Sequence, residues 1–83
     1  MRHRMLSEVN RRMDITMSWV EGFAISARLD GGVMTVSANR EGMLSLANQL
    51  KALADAAPGS HLHLDEYNAL EEGSMALVIE RIP

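Results

Sequence analysis

The chain has 83 residues with seven methionines, one each of Trp, Tyr and Phe, and no cysteine. A chain of this length forms one domain that buries roughly 60–65% of its extended surface, so its aliphatic and methionine core is only marginally sufficient. The absence of cysteine excludes a disulfide framework and a thiolate zinc site. We therefore predict a cytoplasmic protein, and no apolar run approaches the roughly 18–20 residues that a membrane span requires.

The net charge is −3, but the charges are unevenly distributed. Four arginines against one glutamate make residues 1–12 basic, and we predict a flexible tail there, ahead of a single domain at 13–83. No aromatic or glycine-rich pattern accompanies these arginines, so nucleic-acid binding is not expected. Between Ala52 and Glu80 there is no Lys or Arg, and the acids are Asp55, Asp65, Glu66, Glu71, Glu72 and Glu80. This block would attract a basic partner, or it would serve only solubility.

The first half of the domain shows the alternation of β-strands. Apolar residues alternate with polar ones over 14–20, which predicts one strand. Alternation over 23–29 and 33–37 predicts two more strands, and Asp30-Gly31-Gly32 between them supplies the positive-φ residues of a tight hairpin.

The segment 39–57 has the spacing of an amphipathic helix. Asn39 is a good N-cap, and Pro58-Gly59 ends the run. Apolar residues recur at intervals of three and four: Met43, Leu44, Leu46, Ala47, Leu50, Leu53, Ala54 and Ala57. We predict that this face docks on a sheet and that the opposite face, with Arg40, Ser45, Asn48, Lys51 and Asp55, stays in solvent.

Two strands are predicted after the helix. Residues 60–65 alternate polar and apolar side chains, and 75–80 read as a well-buried strand after a loop of turn formers. The predicted fold is α+β, a two-layer sandwich with one amphipathic helix on one face of a mainly antiparallel sheet of four to five strands. Its second sheet face would be uncovered, and Ser26 and Arg28 would join the polar side chains of 60–65 there.

The candidate site residues lie on that open face. His61, His63 and Asp65 occupy successive same-side positions, a spacing that also suits a metal ion. The sequence has no nucleophile elbow and no glycine-rich phosphate loop, so we predict no enzyme activity, no catalytic residue and no cofactor. Polar surface histidines are favoured over a metal site, because no third imidazole lies near them.

Three motifs occur in a fixed order: Asn39-Arg40-Glu41-Gly42 with the helix after it, His61-Leu62-His63-Leu64-Asp65, and Leu70-Glu71-Glu72-Gly73-Ser74. In this order the chain resembles the immunity protein 32 family of bacterial polymorphic-toxin systems over about residues 33 to 82. The resemblance implies a small bacterial protein that binds and neutralises a co-encoded toxin, and it supplies no catalytic residues. The basic N-terminal tail has no counterpart in it.

The acidic second half agrees with this reading, because it would mask a basic toxin. The predicted partner-binding residues are His61, His63, Asp65, Glu66, Tyr67, Glu71 and Glu72. The alternatives are a homo-oligomeric adaptor or regulatory domain, such as a homodimer paired through its open face or a sheet edge, and a metal-binding protein that uses His61, His63 and Asp65. No nucleic-acid or membrane partner is predicted.

Overall fold

A computed structural model describes residues 7–10 and 15–83 of the chain. Six strands and one helix occur in these residues: β1 Ser7–Asn10, β2 Ile15–Ser18, β3 Ile25–Asp30, β4 Val33–Ala38, α1 Arg40–Ala54, β5 His61–Leu64 and β6 Leu77–Glu80. The predicted strands of the domain and its one helix are all present, and the fold is α+β. One strand, β1, lies inside the range that was predicted as a flexible tail, and the rest of that range, residues 1–6 and 11–12, lies outside the described residues.

The strands do not form the single sheet of four to five strands that we predicted. They pair as three antiparallel two-stranded ladders, β1 with β2, β3 with β4, and β5 with β6. A loop segment covers the remaining edge of β3, because the amides of Glu71 and Met75 donate to the carbonyls of Ile25 and Ala27 at 2.7 and 3.0 Å. Backbone hydrogen bonding thus extends from β3 to a neighbouring segment that is not a regular strand.

The hairpin of β3 and β4 forms as predicted. Asp30 pairs with Val33 across a two-residue loop, and the loop residues Gly31 and Gly32 have φ of 54° and 84°. Two successive positive φ angles match the twist of the flanking strands, and glycine adopts them without steric cost.

The helix begins where its sequence predicts and ends slightly earlier. The Asn39 side chain accepts the Gly42 amide at 2.7 Å and also bonds Ala24 and Gly22, so the cap ties the helix start to the chain before β3. The last helical residue is Ala54 rather than Ala57, and the Asp55 amide closes the final turn. Pro58 disfavours a helical conformation for the residue before it, which limits the helix.

The predicted buried face of the helix is wrong. The buried positions are Gly42, Ser45, Gln49 and Leu53, whereas Met43, Leu44 and Leu50 are substantially exposed. On the predicted face, Leu53 is buried and Leu46 is partly buried, but Leu50 is 45% exposed. The face predicted from apolar periodicity is rotated by about a quarter turn of the helix from the face that is buried.

Close backbone approach and side-chain hydrogen bonds explain this rotation. A Cβ on Gly42 would lie 2.5 Å from the Ala24 carbonyl oxygen and 2.9 Å from the Ala38 Cβ, so only glycine fits. Farther along, the Gln49 amide accepts the Ser18 amide hydrogen at 2.7 Å and donates to the Ser18 carbonyl at 3.0 Å, and the Ser45 hydroxyl accepts the Val20 amide at 2.8 Å. Gln49 therefore pairs with the backbone of β2 as a neighbouring strand would.

The core lies between the helix and the inner faces of two ladders. Its larger cluster contains Trp19, Phe23, Ile25, Ala27, Leu64, Ala69 and Leu70, and a smaller one joins Leu53 to Leu62. The rings of Trp19 and Phe23 stack with centroids 4.8 Å apart. The strand predicted as well buried, β6, instead has Val78 and Glu80 exposed and only its alternate residues half-buried.

Candidate protein-binding surface

The outer face of the β5–β6 ladder carries the two predicted histidines. His61 and His63 are exposed, and Leu62 and Leu64 between them are buried, which confirms the predicted alternation. The register sets Glu80 opposite His61 and Val78 opposite His63. Residues directly opposite in a ladder share a face, so the surface also includes Glu80 and Val78, which sequence reasoning did not assign to it.

A hydrogen-bonded turn follows β5 and holds Asp65. The Asp65 carbonyl accepts the amides of Asn68, Ala69 and Leu70 at 3.2, 3.0 and 2.9 Å. The Asn68 side chain accepts the Asp65 amide and donates to the His63 carbonyl, at 2.8 and 2.7 Å. The Asp65 carboxylate accepts the Tyr67 amide at 2.9 Å. Asp65 and Asn68 thus cap the turn, as short polar side chains commonly do.

The turn is anchored on one side and open on the other. Ala69 and Leu70 are buried in the core, while the Tyr67 side chain is 92% exposed. Tyr67 therefore does not pack into the core. Fixing both ends of the turn lets an exposed aromatic ring project from a defined backbone, which lowers the entropy that binding would cost.

The acidic residues of the loop lie on its exposed part. Glu66, Glu71 and Glu72 are all exposed, and Asp65 is half-buried. The Glu66 carboxylate accepts the Gly73 amide at 3.5 Å, which brings the end of the loop back beside its beginning. Among the described residues the one ion pair joins Arg28 to Asp30, so Glu66 and Glu72 meet no described cation. We call residues 65–72 the acidic loop.

Ser26 and Arg28 belong to a different ladder from the histidines. Arg28 donates to the Ser37 hydroxyl at 3.2 Å and pairs with Asp30 at 2.7 Å, all on the outer face of the β3–β4 hairpin. The predicted single open face is therefore divided between ladders that are not joined by regular pairing.

The geometry of the described residues does not support the alternative of a metal site. No three His, Cys, Asp or Glu side chains in residues 7–10 and 15–83 are placed to hold a metal ion together, and His61, His63 and Asp65 are included in that statement. Successive same-face residues of a strand lie about 6.5–7 Å apart. In the same part of the chain no helix is long and apolar enough to cross a membrane.

The fold and this surface define a small α+β domain that presents a braced acidic loop and an exposed tyrosine. The model of the immunity protein 32 family matches residues 33–82, which is more than half of the chain, and the chain belongs to this family. The match confirms the resemblance read from the three motifs. No curated protein and no solved structure matches the chain.

Proposed function

We propose that this chain is an immunity protein that binds and neutralises a protein toxin encoded beside it, by masking part of the toxin surface rather than by catalysis. Membership of the immunity protein 32 family supports the class. The observation that carries the binding mode is the acidic loop, a turn held by five hydrogen bonds among its own residues and a sixth to His63, which leaves Tyr67 and the carboxylates outside. We further propose that the complex forms in the cytoplasm of the producing cell.

The contact surface that we propose is the acidic loop together with the outer face of β5. It comprises His61, His63, Asp65, Glu66, Tyr67, Glu71 and Glu72. The carboxylates give it negative charge, and the partner is therefore a basic surface on the toxin. Charges of this kind chiefly raise the rate of association and make it depend on salt, because they act before contact is made.

Tyr67 is the proposed anchor of this contact. Tyrosine is enriched among the residues that contribute most to binding, since its ring buries a large area at a small entropic cost. The ring is 92% exposed in the free protein, so nearly all of that area is still available to be buried. It should set the dissociation rate, while the carboxylates set the association rate.

The test compares two charge-matched quadruple variants. In the first, Asp65→Asn, Glu66→Gln, Glu71→Gln and Glu72→Gln neutralise the acidic loop, and the asparagine at 65 still accepts the Tyr67 amide. In the control, Glu21→Gln, Asp30→Asn, Glu41→Gln and Asp55→Asn remove the same charge elsewhere. Stopped-flow association with the toxin domain of the neighbouring gene should slow and lose salt dependence in the loop variant only.

Each outcome bears on a separate part of the proposal. Equal slowing in both variants would mean that net charge, not this loop, steers the partner. An unchanged rate in the loop variant would refute the acidic-loop contact while leaving the immunity function standing. Failure of the unmodified protein to protect cells that express the toxin domain would overturn the function itself.

A further inference from the structure

The β3–β4 hairpin has one edge that no described segment pairs with. The Asn39 amide donates to the Ala24 carbonyl, which marks this pair as hydrogen-bonded, and such pairs then alternate along the hairpin. On β4 the amide and carbonyl groups of Met34, Val36 and Ala38 consequently point away from β3. On β3 the equivalent groups of Ile25 and Ala27 are taken by the segment that contains Glu71 and Met75.

This edge lacks the features that usually keep strand edges from pairing. β4 has six residues, and none of them is charged or a proline. By comparison, β6 has only four residues and includes Glu80. A long, uncharged open edge is the arrangement that natural proteins avoid unless another strand covers it.

Exposed apolar side chains lie beside the same edge. In the hairpin register Leu29 pairs with Met34 and Ala27 with Val36, so these four share the inner face with Ile25. The face is buried at its base by the helix, but toward the tip Leu29, Met34 and Val36 are 58%, 47% and 38% exposed. The hairpin therefore extends an apolar surface beyond the core of its own chain.

We propose that a second copy of this chain covers the edge, by antiparallel pairing of β4 with β4 about a twofold axis at Val36. In this register Val36 lies opposite Val36 and Met34 lies opposite Ala38, so every outward amide and carbonyl on the strand gains a partner. A twofold axis normal to the sheet keeps the two inner faces on the same side, and the two hairpins then form one four-stranded sheet.

The same register explains why a second copy suits the exposed tip. Ala38 lies against Gly42 at the start of the helix, and Met43 beside it is 52% exposed. Met34 at the tip of one hairpin therefore lies next to the base of the other hairpin, where it can pack against small residues and an exposed methionine.

The dimer leaves the proposed toxin surface free. The acidic loop continues into the segment that lies along β3, on the side of the hairpin away from β4. The inference therefore goes beyond the proposed function and does not depend on it.

The test uses the protein alone, in sedimentation velocity across a wide concentration series. We expect a species of twice the 9.2 kDa chain mass at high concentration. Val36→Lys places two like charges opposite each other at the axis and should weaken the dimer on the order of tenfold or more. Val78→Lys is the matched control, because it makes the same substitution at an exposed strand position of β6 and should leave the dimer unchanged.

A second measurement needs no variant. Amide hydrogen exchange followed by NMR should show concentration-dependent protection at Met34, Val36 and Ala38, but not at Leu29, whose amide points to the opposite edge. A monomer at every concentration, a dimer whose β4 amides exchange freely, or loss of the dimer in Val78→Lys would each overturn the proposal. Protection of these amides only after the toxin domain is added would assign the edge to a toxin strand and overturn the second copy as its occupant.

Discussion

Gln49→Leu is the most informative single change for the fold. It removes the hydrogen bonds between the helix and β2, and leucine has a side-chain volume similar to that of glutamine. Gln49 is fully buried and exchanges two hydrogen bonds with the backbone of Ser18, in addition to one to the Ser45 carbonyl. A buried hydrogen bond contributes about 1 kcal/mol net, and a group left unpaired costs about 1–3 kcal/mol. Three lost bonds, partly offset by a more apolar side chain, predict a loss of about 2–4 kcal/mol.

The assay is urea denaturation followed by far-UV circular dichroism, with Asn48→Leu as the control. Asn48 is the neighbouring helix residue and is exposed, so the same apolar side chain there should change the free energy of unfolding by less than about 0.5 kcal/mol. Gln49→Glu adds a test of how stability changes with pH. The new carboxylate would face the Ser18 and Ser45 carbonyls without a proton to donate, so burial and these acceptors raise its pKa in the folded protein.

The sign of its pH dependence follows from that shift. Because the folded protein binds the proton more tightly than the unfolded chain, Gln49→Glu should be least stable above the folded-state pKa and regain stability as the pH falls through it. A Gln49→Leu protein as stable as the unmodified one would refute the idea that side-chain hydrogen bonds hold β2 to the helix. A pH-independent stability difference in Gln49→Glu would refute the buried position of the amide.

The remaining predictions concern the helix face and the loop. Gly42→Ala normally stabilises a helix by about 1 kcal/mol, but the contact of 2.5 Å with the Ala24 carbonyl should instead make it destabilising by about 1–3 kcal/mol in denaturant melts; a rise in stability would show that the helix stands farther from the hairpin. Leu53→Ala should cost about 2–5 kcal/mol and Leu50→Ala no more than about 1, and the reverse order would restore the face predicted from periodicity. Tyr67→Ala should change stability by less than about 0.5 kcal/mol while shortening the lifetime of the toxin complex about tenfold or more, measured by surface plasmon resonance, and a large drop in melting temperature would show that the ring packs inside.

The amino-acid sequence by itself determined the local elements of this protein. The caps and breakers of the helix, the two glycines of the hairpin and the alternation around Leu62 and Leu64 act over a few residues, so they can be read without knowing the neighbours. The order of three motifs also sufficed to place the chain in its family, which the match over residues 33–82 confirms.

Tertiary structure alone decided which helix face is buried and how the strands pair. Periodicity favoured Leu50 because leucine is apolar, yet the contact is made by Gly42, Ser45 and Gln49. Burial of Ser45 and Gln49 is favourable only because backbone groups 25 and 31 residues away in the chain form hydrogen bonds with their side chains. Strand pairing is likewise set by contacts between distant segments. The second edge of β3, for example, is hydrogen-bonded to a loop segment and not to a strand. Burial of a polar side chain depends on a partner that local sequence does not specify, and this is the physical reason why the helix face required the structure.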